Sequence, residues 1–107
     1  MRRPIPENGP FRYIRKDDTI QPFDNRLKSL NNLELSDFYN HNIANRHVFV
    51  YEFEGKILCI LVFDDKGDHF YLNLIENNKV HEKECDRMNP APKLIRYVEK
   101  NCRVSRP

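Results

Sequence analysis

Lys93, Arg96, Lys100 and Arg103 recur at intervals of three and four residues near the end of this 107-residue chain. On a helix turning 100° per residue they fall within about 80° of one another, forming one stripe of cations. Arg106 follows just beyond, and a second basic group (Arg2, Arg3, Arg12, Arg15 and Lys16) stands at the other end. Arrays of this kind neutralise carboxylates or phosphates. The chemistry they suit is capture of an anionic surface, either an acidic protein or a nucleic acid.

Charge is segregated along the chain. Residues 1–16 hold five basic groups and one acid, net +4, whereas residues 17–86 hold seven basic and fourteen acidic groups, net −7. Residues 87–107 hold six basic groups and one acid, net +5, so the overall +2 conceals basic ends around an acidic middle. The ends could pair with that middle, in the same molecule or a neighbour, or face an external polyanion. Aromatic residues interleave with the cations in Phe11-Arg12-Tyr13-Ile14-Arg15 and at Tyr97, as stacking on bases would require. No zinc-finger, KH or RNP signature accompanies them.

Other chemistries find less support. His81 and Cys85 share a helical face by spacing, with Cys102 or His69 as further candidates, but zinc sites want four ligands, often in close pairs. His41 and His47 read as polar surface groups near a helix end. A nucleophilic thiol must be accessible and sit beside a base. Cys59 lies inside an apolar run and Cys102 on the apolar side of a helix, which leaves Cys85 as the exposed thiol, with no motif around it. Asp64, Asp65 and Asp68 surround Gly67, where turn geometry explains them. No catalytic residue, metal site or cofactor is expected. Three cysteines without a CxxC pair fit a reducing, intracellular compartment, cytoplasmic or nuclear. No stretch is long and apolar enough to span a membrane, and MRRPIPENGP lacks the apolar core of a secretion signal.

The elements that must position these residues centre on residues 48–76, read as three antiparallel strands. Ile57 to Phe63 are seven apolar residues in a row, which demands cover on both faces and predicts the central strand. The flanking runs alternate: Phe49, Tyr51 and Phe53 share one side, as do Phe70, Leu72 and Leu74. Glu54-Gly55 predicts a tight hairpin turn and Asp64-Asp65-Lys66-Gly67 a longer one. Residues 1–16 form a proline-containing arm, with Phe11 to Arg15 a candidate edge strand. Residues 17–47 predict two short helices, capped by Asp24 and Ser36.

Asn77-Asn78 predicts a turn, Lys79-Val80-His81 a weak strand or loop, and residues 82–92 a polar loop. A helix then opens on prolines, with Leu94, Ile95, Val98 and Cys102 facing inward and the cations outward. The expected fold is α+β, with residues 17–107 as a single domain. An antiparallel meander of three to five strands is covered by two short N-terminal helices and one C-terminal helix. An outer strand of such a sheet could pair with a second copy.

From about Val48 to Cys102 the order of elements resembles the core of the GNAT-type N-acetyltransferases. Glu54-Gly55-Lys56-Ile57 is similar to the family's hairpin, Phe70 to Ile75 to the strand beside the cofactor, and Leu94 to Glu99 to the start of the following helix. Arg87-Met88-Asn89-Pro90-Ala91-Pro92 keeps the spacing of the family's phosphate-binding turn but places proline at both small positions. Proline has no amide hydrogen to give a pyrophosphate. The resemblance therefore implies a GNAT-like acyltransferase or a degenerate acetyl-CoA-binding relative. The residues taken by themselves point instead to a non-catalytic binding or accessory protein, engaging an acidic protein surface or nucleic acid through its arm and C-terminal helix.

Overall fold

Ile57 to Phe63 does occupy the middle of the sheet. The computed structural model describes residues 5–15, 18 and 46–105. Their elements are β1 (Phe11–Tyr13), β2 (Arg46–Phe53), β3 (Lys56–Asp65), β4 (Phe70–Asn77), a 3₁₀ turn (Lys79–His81), α1 (Glu82–Met88), α2 (Pro90–Asn101) and β5 (Val104–Ser105). The strands lie side by side in the order β1-β2-β3-β4-β5, which puts β3 at the centre. The first four pair antiparallel as expected, but β5 runs parallel to β4, which corrects the wholly antiparallel expectation to a mixed sheet. Leu58 through Phe63 have no exposed surface, as an unbroken apolar run requires.

Both hairpins form where expected. Glu54 and Gly55 take φ of 49° and 77°, the paired positive values that suit a two-residue turn between right-twisted strands. The second turn places Gly67 at φ 96° and closes when the Gly67 amide donates to the Asp65 carboxylate at 2.9 Å.

Two buried clusters mark the two faces of the sheet. Tyr13, Phe49, Tyr51, Leu61, Phe63, Phe70 and Leu72 belong to the face that receives α2. Ile14, Val48, Val50, Ile60, Val62 and Leu74 belong to the other. Leu74 thus departs from the side expected for it. Pairing jumps from Val62↔Leu74 to Phe63↔Leu72, so Asn73 has no partner across the ladder and the alternation changes phase there. A second irregularity pairs Tyr51 with Cys59 and Glu52 with Ile57. It skips Leu58, and both Leu58 and Cys59 join the helix-side cluster.

Beyond β4 the chain corrects two expectations. Lys79–His81 is a 3₁₀ turn and not a strand, and the supposed polar loop holds α1. Asn78 governs the change of direction, its side chain accepting from the Val80 amide at 3.1 Å and donating to the Ile57 carbonyl at 3.0 Å. Helix α1 is short, and its one buried residue is Cys85, too little apolar periodicity to mark it in the sequence. The two helices expected within residues 17–47 fall outside the described residues, except for Asp18, which is in neither helix nor strand, and for Arg46 and His47, which open β2. No helix among the described residues is long and apolar enough to cross a membrane.

The N-terminal segment is fastened to the sheet. Ile5 is buried and its amide donates to the Tyr13 hydroxyl at 3.1 Å. Phe11 to Tyr13 pair with β2, so the edge-strand alternative for this stretch is the one realised.

Candidate binding face

Helix α2 starts abruptly. Asn89 adopts the left-handed region (φ 50°, ψ 59°), ending α1 through its amide bond to the Cys85 carbonyl at 2.8 Å and beginning α2. Pro90 and Pro92 occupy the first turn, where missing amide hydrogens cost nothing. Leu94 and Val98, four residues apart, are fully buried against the sheet, each contributing roughly 2 kcal/mol of apolar burial. Ile95 and Cys102 pack beside them, as the inward stripe predicted.

The opposite side carries Lys93, Arg96 and Lys100, all exposed. Their α-carbons span about 10 Å of helix axis. Arg103 is also exposed, but it is not on the helix. Cys102 is extended (φ −161°, ψ 162°), and the Arg103 carbonyl accepts the Phe70 amide at 2.8 Å as the chain enters β5. The stripe is therefore three helical cations with a fourth just past the cap. Among the described residues Lys93, Arg96 and Lys100 have no recorded ion pair, whereas Arg103 lies near Asp68, whose carboxyl is held low by its His69 hydrogen bond and, to a lesser degree, by the Arg103 charge.

The N-terminal cations divide differently. Arg12 is buried and clasped by two carboxylates, 2.9 Å from Asp18 and 3.1 Å from Glu52, and it also donates to the Tyr13 carbonyl at 3.1 Å. The hydrogen bonds that Arg12 donates to Asp18 and Glu52 outweigh its desolvation and hold its pKa above the usual guanidinium range. It is structural, which corrects its expected place in a solvent-facing arm. Arg15 is exposed, 3.8 Å from Glu7. Arg2, Arg3, Lys16 and Arg106 lie outside the described residues.

Tyr97 anchors the N-terminal segment to α2. Its ring stacks on Phe11 with centroids 4.2 Å apart and its hydroxyl donates to the Pro6 carbonyl. Nothing in the spacing revealed this contact, because its partners lie about ninety residues away. Lys83 and Arg87, exposed on α1 at a spacing of four, were not among the cations expected to bind, because their segment was read as loop.

The remaining reactive side chains are occupied in packing and turns. Cys85, the thiol expected to be exposed, is buried and donates to the Leu58 carbonyl at 3.2 Å. Burial pushes Cys59 up to about 12 and Cys102 up to about 11, and raises Cys85 as well, so all three are poor nucleophiles at neutral pH. His47 is likewise buried, its ring stacked on Phe63 at 5.2 Å, contrary to the surface position expected. His41 lies outside the described residues. His81 faces Glu84 at 3.7 Å, and among the described residues no three His, Cys, Asp or Glu side chains gather as a metal site.

Arg87 to Pro92, which the GNAT resemblance assigns to a phosphate-binding turn, comprises the last residues of α1, the Asn89 joint and the first turn of α2. A 3₁₀ turn and α1 separate it from β4. No family model matches the chain, and no curated protein or solved structure shows significant similarity to it.

Proposed function

We propose that this protein is a non-catalytic binding or accessory module whose α2 face docks an anionic partner surface. The observation that carries this reading is the exposure of Lys93, Arg96 and Lys100 on a helix whose other side is locked into the core. A helix held rigidly by Leu94 and Val98 presents its cations without ordering a flexible segment on binding. Arg103 extends the same patch, and the elevated thiol pKa values give a catalytic reading little to work with. Three free cysteines favour a reducing compartment as its place of work.

Retention on immobilised heparin tests the reading, with Lys93→Glu, Arg96→Glu and Lys100→Glu combined in one variant. The variant should elute at clearly lower salt than the parent, with an unchanged far-UV circular dichroism spectrum. Equal elution would remove α2 as the docking face.

A further inference from the structure

We infer that the α2 face is matched to an acidic helical protein segment and not to a nucleic acid. This inference rests on the binding reading above and names its partner class.

A shallow basic face captures single strands by offering aromatic platforms to the bases. Here the ring on α2 is already taken. Tyr97 lies nearly parallel to Phe11 (4.2 Å, 9°) and to Phe49 (5.9 Å, 10°), and its hydroxyl is bonded to Pro6. Phe11 in turn meets Tyr51 edge-on at 5.5 Å. Among the described residues Val80 is the large apolar side chain that stands exposed, and Tyr97, the one ring on α2, is engaged by its neighbours.

A duplex is disfavoured for an electrostatic reason. Its phosphates continue far past a 10 Å stripe, onto surface of mixed sign: α1 exposes Glu82 and Asp86 beside Lys83 and Arg87, and α2 itself exposes Glu99. With a net charge of only +2, the chain lacks the broad positive field that non-specific duplex binding depends on.

A short acidic helix differs from a duplex in extent, since it can be confined to the stripe and kept clear of the carboxylates beside it. Lys93, Arg96 and Lys100 stand three and four residues apart, which spaces them about 4.5 Å and 6 Å along the axis. Carboxylates at intervals of three and four residues on a partner helix repeat with the same rises. Two helices lying side by side could therefore pair them in register, at the 8–10 Å separation usual for packed helices.

Fluorescence anisotropy with the full chain tests this using two labelled probes at low salt. One is an alanine-based helical peptide carrying glutamates at intervals of three and four residues, and the other is a random-sequence DNA duplex. The peptide should bind at least about tenfold more tightly than the duplex, and the triple Glu variant should weaken peptide binding by about tenfold or more. Duplex binding as tight as peptide binding, lost in the variant, would overturn the inference while sparing the docking face. Peptide binding unchanged in the variant, or binding of neither probe, would overturn both.

Discussion

The side-chain amide of Asn78 donates to the carbonyl of Ile57 at 3.0 Å, tying the end of β4 to the start of β3. Its backbone amide reaches the Leu58 carbonyl at 2.8 Å, and its side-chain oxygen caps the 3₁₀ turn at Val80. One buried residue therefore serves the sheet and the turn that sends the chain toward α1 and α2. Asn78→Ala leaves the Ile57 carbonyl and the Val80 amide without these partners. It should cost about 2–3 kcal/mol, read from urea unfolding. A loss below about 0.5 kcal/mol would show that the contacts are incidental.

Asp64 sets an acid limit on stability. Burial pushes its carboxyl up, but hydrogen bonds from Arg46 (2.6 and 3.0 Å) and Asn73, with the Arg46 charge, outweigh that and hold it below its usual value. A folded pKa below the unfolded one gives stability that is fully present above about pH 4. That stability is lost as pH falls through the folded value. Asp18, depressed by Arg12 and the Arg15 amide against the opposing effect of burial, adds in the same direction. Melting temperature should fall steeply below about pH 4, and Asp64→Asn should be less stable at neutral pH with a shallower acid decline. An equally steep decline in that variant would exonerate Asp64.

The two sides of α2 should separate in mutagenesis. Leu94→Ala opens a cavity in a fully buried position and should cost about 3 kcal/mol. Arg96→Glu changes an exposed side chain and should stay within about 0.5 kcal/mol while weakening anion binding. A large stability loss in the second variant would reveal an internal partner for that guanidinium.

Thiol reactivity should follow burial. Cys102 is half-buried whereas Cys59 and Cys85 are buried, and all three pKa values are raised. With a thiol reagent at pH 8, Cys102 should label first and slowly, the other two only on unfolding. Mass spectrometry of the digest reads the order, and rapid labelling of native Cys85 would contradict its packing against Leu58.

A run of seven apolar residues requires cover on both sides wherever it lies, so its central place in the sheet was readable before any coordinates. The Glu54-Gly55 turn and the division of α2 into apolar and cationic sides follow equally from local sterics and helical period. Leu74 crossed to the other face because an unmatched Asn73 is a property of two paired strands and not of either alone. Arg12 looked like part of a basic arm until folding brought it to Glu52, forty residues away. Helix α1 has one buried residue, Cys85, with Met88 half-buried beside the core, too sparse an apolar pattern to read in advance. Sequence by itself determined what depends on neighbours along the chain, the strand runs, the turns and the cationic stripe. Only the tertiary structure decided which cations remain at the surface, because an ion pair is formed by distance in space and leaves no period in the sequence.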